Sequence, residues 1–471
     1  MILLRFGVIG LLVLGLYWNG AGKEKYDPST LVFPPYLHTY GIRKATRFHL
    51  FLFSKNRTQF NDTQGLAVVR LKAWEDPTTE NDDDEVTVYG VNSGEDNIIY
   101  NKSMKSLGIY GLDESGEQRL SRPHGIAANA RGEVYVADTG NHRIVRLFNS
   151  GRELQYVAAI GREGQAEGEF RAPFGVALDV HGQLYVTDTA NNRIQVFNSK
   201  NEYVRKIGNH AGLHSQFIQP TDIEILHQDE EWVFHKTSFL VVIDSMNQRI
   251  QKLALSGKTL LKKNMKRCGF PDADLQYIDI DYYGNIYITD KANHCIHKFD
   301  HFLNLLTSYG RLGSGHKEFV EPRGITIYRR FGQIFIGEAM GAQYYWIGVD
   351  VFRFKLEYAA QRNLIKARFF LTEPAYVTVD VYDLSGVWVT RSYQRRFMRS
   401  GLQEDVWEAK IYAVQPDSSE QINNGNKSAY ANLKFIPQGT YKIKYKFEPT
   451  YSSYHYFSKI FEKEIQLINP K

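Results

Sequence analysis

Residues 120–149 read "LSRPHGIAANARGEVYVADTGNHRIVRLFN", and residues 170–198 read "FRAPFGVALDVHGQLYVTDTANNRIQVFN". Both open on Phe or Leu, place Pro three residues later and Gly two beyond that, and continue in short apolar alternations, so they are copies of one unit. The same opening recurs as "FIQPTD" from Phe217 and "FVEPRG" from Phe319. Two copies are degraded: "FNDTQG" keeps Phe60 and Gly65 but has Thr63 for the proline, and "LQYIDIDYYGNIYITD" enters its strand at Leu275. Six copies therefore start near residues 60, 120, 170, 217, 268 and 319. Inside each copy the apolar period is two, with Gly, Asn and Ser between segments such as "EVYVAD" and "RIVRLF". That is the pattern of four antiparallel strands joined by tight turns. One such sheet cannot bury both of its faces, whereas six packed around an axis can. The chain is predicted to be all-β, with a six-bladed β-propeller over residues 45–357. Its last copy supplies three strands, and the orphan segment "TRFHLFLFS" (46–54) is expected to close the last blade as the fourth, protecting an open edge.

The order Pro-x-Gly, then Val-Tyr-Val-Ala-Asp-Thr, then Asn141-His142-Arg143-Ile144 resembles the NHL repeat, and the resemblance extends over about residues 45–355. NHL repeats build six-bladed propellers, which is what the resemblance implies here.

Residues present in every good copy read as construction. Asp138, Asp188, Asp244 and Asp290 end the second strand of their blades, and Arg143, Arg193 and Arg249 follow at five residues. The Asp can cap the turn, the Arg can return to pair with it, and Asn141, Asn191, Asn247 and Asn293 suit a left-handed loop position. Cys295 replaces the Arg in the fifth copy, and the sixth has Glu338 and no Arg.

Function is expected where the copies differ. The residue after the Pro position begins the innermost strand at the channel mouth, and around the ring it reads Gln64, His124, Phe174, Thr221, Gln276 and Arg323. These six form a candidate ligand-binding ring. A propeller lyase or lactonase would need converging His, Asp or Glu around a metal, and one His and one Arg among amides do not supply it. No catalytic residue, metal site or cofactor is predicted. The insertion "HQDEEWVFHK" (227–236), with Trp232 and Phe234, is the candidate partner-binding loop. In "NHCIH", Cys295 and His297 share a strand face, yet His297 falls at an ordinary strand position. Cys268 and Cys295 could form a disulfide in an oxidising compartment, or remain two free thiols. The acidic run Glu80–Glu85 reads as a solvated loop.

After Tyr358 the repeat ends. About seven strands with Gly turns over residues 363–468 predict a β-sandwich. The segments "VTVDVYDLSGVWV" and "IPQGTYKIKYKF" with Trp407 resemble the FlgD-type Ig-like domain found at the C-terminal end of exported bacterial proteins, although Trp407-Glu408-Ala409 departs from that family's usual Trp-Asp-Gly. The resemblance implies a permanent structural domain. At the other end, residues 1–22 place Arg5 before an apolar run from Phe6 to Trp18 and then small residues, which is the order of a signal peptide. The expected location is therefore the periplasm, cell surface or medium, with no stable membrane span after cleavage. The chain carries 57 basic and 52 acidic residues among 471, too balanced to imply nucleic acid as partner. The function expected is exported, non-enzymatic binding or scaffolding toward a protein or cell-envelope partner. A propeller enzyme at the channel mouth is the alternative, and a nucleic-acid-binding propeller the second.

Overall fold

The six repeats form six sheets, each strand following its neighbour in sequence and pairing antiparallel with it. The structure, a computed structural model, describes residues 29–33, 43–54, 57–74, 86–101, 107–208, 217–411, 434–451 and 457–468. The predicted signal segment 1–22, the acidic run 80–85 and residues 412–433 of the second domain lie outside the described residues. The innermost strands are Thr63–Val69, Ile126–Ala128, Pro173–Leu178, Pro220–Leu226, Leu275–Ile280 and Pro322–Tyr328, and we number the blades 1 to 6 by them.

The Gly two residues after the Pro position lets these inner strands touch. A Cβ on Gly65, Gly125 or Gly324 would stand 2.8, 2.4 or 2.1 Å from the carbonyl oxygens of His124, Phe174 and Gln64 in the next blade. The amides of Gly65 and Gly125 use that closeness to donate to His124 and Phe174 oxygens at 3.0 and 2.8 Å. Backbone thus meets backbone from blade to blade, including from blade 6 to blade 1.

Blades 2 to 6 are locked by the acid at the end of the second strand, where blade 1 has Asn92, whose Oδ1 accepts the Asn61 amide at 2.7 Å. Asp138, Asp188 and Asp244 are fully buried, and one oxygen of each accepts the backbone N–H of Ser121, Arg171 or Ile218 at 2.7–2.8 Å. The other oxygen takes the Arg five residues on: Arg143 at 2.7, Arg193 at 2.7 and Arg249 at 2.6 Å. Asn141, Asn191 and Asn247 donate to the same carboxylates. The left-handed position is not theirs but the next residue's: His142, Asn192, Gln248 and His294 have φ between 47° and 56°. The Asn side chain is held inside the turn by the buried acid, so the following residue makes the reversal. Blade 5 substitutes His297, whose Nε2 lies 2.9 Å from Asp290, and blade 6 uses Glu338, which pairs with Lys44 at 2.7 Å.

Lys44 belongs to the closing segment, which differs from the expected one. Leu31–Val32 and Lys44–Ala45 both pair with Gly341–Ile347 of blade 6, so the ring is closed from the N-terminal side by residues upstream of 46–54. That predicted strand is instead the helix α1, Arg47–Ser54. The edge it would have filled is taken, and Thr46 turns the chain by accepting the Leu50 amide (3.0 Å) on its carbonyl. Phe48, Phe51, Leu52 and Phe53 of α1 are exposed.

The second domain starts earlier than residue 363. Val351–Ala359 pairs with Leu364–Leu371 around the turn 360–362, so residues 351–357, expected within the propeller, are the first strand of the second domain. The three-stranded sheet is completed by Gly401–Glu408, and the four-stranded sheet is Trp388–Met398, Ala375–Asp383, Gly439–Pro449 and Lys459–Leu467. The two sheets close on a core that includes Val377, Val379, Tyr445 and Trp407, which is a β-sandwich. It docks on blade 5 through an unusual contact: Lys298 pairs with Glu373 of the sandwich, both buried, and Asn285 donates to Glu373 at 3.2 Å.

Candidate functional site

The six residues of the predicted ring gather at one end of the axis, but they close it. His124 and Phe174 pack with ring centroids 4.2 Å apart and planes tilted by 35°, and Phe174 lies 5.9 Å from Tyr277. The Tyr277 hydroxyl donates to Gln64 Oε1 at 3.0 Å, from blade 5 to blade 1. Arg323 is spent on ion pairs with Asp62 and Glu321, and Gln276 donates to Asp274 at 2.7 Å. Thr221 Oγ is buried without a hydrogen-bond partner among the described residues. Burial pushes His124 down to about 4, so its imidazole is neutral, with Nδ1 within 3.0 Å of Arg122 O and Thr139 Oγ. An aromatic plug, rather than an open mouth, occupies this end.

The space lies beyond the plug. A cavity of about 710 Å³ runs along the axis from Tyr277 to the opposite face, and its walls come from the same inner strands. Blades 1 to 3 and 6 carry Gly65, Gly125, Gly175 and Gly324 two residues after the Pro position, but blades 4 and 5 carry Asp222 and Tyr277. Two residues further the series reads Ala67, Ala127, Ala177, Glu224, Asp279 and Thr326. Small residues on three blades leave room, and blades 4 and 5 line it with carboxyls. The inner strands of blades 1, 3, 4, 5 and 6 share a register shift at this point, a bulge that belongs to the repeat, so the carboxyls come from the substituted residues alone.

The carboxyls are tied down by a single guanidinium. Arg329, from the end of the blade 6 inner strand, donates to Glu224 Oε1 at 2.8 Å and to Glu230, and its Nε donates to Ile280 O at 2.7 Å. Asp279 Oδ1 lies 3.8 Å from it. Asp279 Oδ2 accepts the Ile327 amide at 2.7 Å, and Asp222 Oδ2 accepts the Ile278 amide at 2.8 Å. Three carboxyl groups, Glu224, Glu230 and Asp279, thus face one guanidinium in a largely buried site, with Asp222 beside Asp279. Burial, opposed by the Ile278 and Ile223 amides, pushes Asp222 up to about 7. Burial also raises Asp279 to about 6 against the pull of Arg329, and raises Glu224 well above the carboxylate range with Asp279 adding to it. The same acids hold Arg329 above its ordinary value although burial works the other way. Near neutral pH such a site holds protons and can give or take them. Aspartates and a glutamate that break a Gly and Ala register are the sequence signal for it, distinct from the ring of Pro-following residues.

The predicted partner loop borders this cavity. Trp232 lines its rim with Arg330 5.1 Å above the indole. Phe234 packs instead on Tyr283 at 5.1 Å and on Phe397 of the sandwich at 5.9 Å, so it serves the domain contact. Cys268 and Cys295 are free thiols and not a disulfide. Cys268 points back at Asn264 O, 3.6 Å away, inside the turn Met265–Cys268, while Cys295 faces His297 Nε2 at 3.8 Å in the interior. Burial pushes the Cys295 thiol up to about 12, which makes it unreactive. Asp290, Cys295 and His297 cluster as possible metal ligands, but His297 occupies the place of Gln195 and Gln251, which bond Asp188 and Asp244 in the same way.

The NHL repeat model matches residues 120–147 and 170–197, which are blades 2 and 3. No curated protein matches the chain. Among solved structures, virginiamycin B lyase from Staphylococcus aureus is 16% identical with a TM-score of 0.39, over 55% of this chain and 77% of that one. A putative gluconolactonase is 12% identical with a TM-score of 0.42, over 67% and 97%. A protein of unknown function from Bacteroides thetaiotaomicron is 17% identical with a TM-score of 0.42, over 61% and 70%. The chain thus carries NHL repeats within a β-propeller, and a β-sandwich follows it.

Proposed function

We propose that the chain is an exported binding protein whose axial cavity takes a small, polar ligand rich in amine or hydroxyl donors. The observation that carries this reading is the excess of acidic residues, Asp222, Glu224, Asp279 and Glu230 among them, over Arg70, Lys72, Arg329 and Arg330 in the lining of a cavity of about 710 Å³. That volume lies within the range of small-ligand pockets, roughly 300–1,000 Å³. Carboxyl oxygens already engaged by one guanidinium and by backbone amides leave lone pairs for donors from a ligand. Trp232 at the rim offers an apolar face to a sugar ring or an alkyl chain. Export rests on the signal-like residues 1–22, and the sandwich is read as a FlgD-type Ig-like module docked permanently through Lys298 and Glu373, turned toward a protein or cell-envelope partner.

A second reading has its own support. Asp222 and Asp279, raised to about 7 and about 6, are poised for proton transfer at neutral pH, which a general acid and base require. The mature chain, Lys23–Lys471, should be screened by thermal shift against polyamines, amino sugars and polyols, and each stabilising compound recovered and weighed by mass spectrometry. Stabilisation with the compound returned intact supports binding, and chemical change of the compound supports the enzymatic reading. No stabilisation by any class would sink both.

A further inference from the structure

At the rim of the axial cavity, two neighbouring blades bring two imidazoles and a carboxylate together. His181 stands in the turn after the inner strand of blade 3, beside Val180 and Asp179, which line the cavity; His227 and Asp229 open the insertion of blade 4, beside Glu230 and Glu231, which also line it. His181 Nε2 lies 3.1 Å from Asp229 Oδ2, and His227 Nδ1 lies 3.6 Å from the same oxygen. The rings are edge to face with centroids 4.8 Å apart. One ligand atom from each residue falls within 4.8 Å of the others.

We infer that His181, His227 and Asp229 bind a divalent transition metal, with zinc the best fit. Ligand atoms placed about 2.0–2.2 Å from a tetrahedral zinc stand roughly 3.3–3.5 Å apart, close to the two separations measured to Asp229. Imidazole and carboxylate together suit zinc and its neighbours, whereas calcium and magnesium ask for oxygen alone.

The donors are held in place by their surroundings. The amides of His181 and Gln183 both donate to Asp179 Oδ1, at 2.9 and 2.8 Å. The His227 amide donates to Glu230 Oε1 at 2.9 Å; in the metal-free chain the Asp229 amide donates to His227 Nδ1 at 3.2 Å, a hydrogen bond that metal binding at Nδ1 displaces. Glu230 in turn pairs with Arg329, so one side chain links the metal ligands to the carboxyl cluster. Three protein ligands leave a fourth position for water or for a donor atom of a cavity ligand. That last consequence rests on the cavity reading; metal binding does not.

The test is zinc alone, titrated calorimetrically into the metal-free mature chain, with cobalt absorption as a second signal. Wild type is expected to take one equivalent. His181→Ala and Asp229→Asn should each weaken binding at least tenfold, while His124→Ala, at the plugged end of the axis, leaves it unchanged. His181 and Asp229 are about half exposed (56% and 53%), so both variants should melt as the metal-free wild type does. No stoichiometric zinc in the wild type, or equal binding in the two ligand variants, would overturn the assignment. A chain that binds zinc yet answers to no amine or polyol would keep this site and refute the cavity reading.

Discussion

Asp222→Asn isolates the cost of placing a carboxyl where four other copies have glycine. Burial pushes the native Asp222 up to about 7 from an ordinary value of 3.8. The native state therefore holds this proton more tightly than the unfolded chain does. By linkage, stability falls as pH rises through the interval from about 4 to about 7, and is flat above it. A shift of about three units is worth about 4 kcal/mol at 1.36 kcal/mol per unit, an upper bound for what the substitution can recover. Asparagine keeps the shape, and its carbonyl oxygen can still accept the Ile278 amide that Asp222 accepts at 2.8 Å. Urea unfolding of both proteins at pH 5, 6, 7 and 8 should show the variant gaining on the wild type with pH and leading it by about 2–4 kcal/mol at pH 8. Near pH 4 the lead should vanish. Two stability curves that run parallel across this range would refute the reasoning, because Asp222 would then titrate as an exposed carboxyl. Natural chains keep such a group when function needs it.

Three further outcomes follow from the packing. Lys298→Met leaves Glu373 buried without its cation and should cost about 3–5 kcal/mol in urea unfolding, most of which the double variant with Glu373→Gln should restore. Gly125→Ala places a Cβ 2.4 Å from Phe174 O; a backbone atom cannot step aside, so a loss of at least about 1–3 kcal/mol is expected, visible as a lowered Tm. Phe48→Ser with Phe51→Ser on the exposed face of α1 should change stability by less than about 1 kcal/mol in the same assay, since both rings face solvent; a larger loss would mean that α1 is packed.

The repeat was legible because its chemistry is periodic. Leu120, Pro123 and Gly125, then Asp138 and Arg143, recur where the same turn and the same ion pair are rebuilt, and the structure answers with Arg143 on Asp138 and Arg193 on Asp188 at 2.7 Å. The closing strand was not legible. Two residues at Leu31–Val32 and two at Lys44–Ala45 are too short for an alternation to register, while the false alternation of "RFHLFLFS" belongs to a helix set by its neighbours. The candidate site was half legible. The inner-strand register is periodic, and the Pro-following residues vary at the plugged end, whereas Asp222, Glu224 and Asp279 depart from Gly and Ala two and four residues after the Pro position. Arg329 and the trio of His181, His227 and Asp229 meet only through blade-to-blade geometry, which no local spacing reports.

The central claim is that ligand recognition belongs to the carboxyl-lined cavity and not to the aromatic end of the axis. The most direct measurement compares ligand-induced thermal shifts in wild type, Glu224→Gln, Asp279→Asn and His124→Ala, using the best-stabilising amine or polyol. Loss of the shift in the two acid variants, with His124→Ala behaving as wild type, is the predicted result. A shift that survives both acid substitutions and disappears with His124→Ala would contradict it and return the site to the opposite end of the propeller.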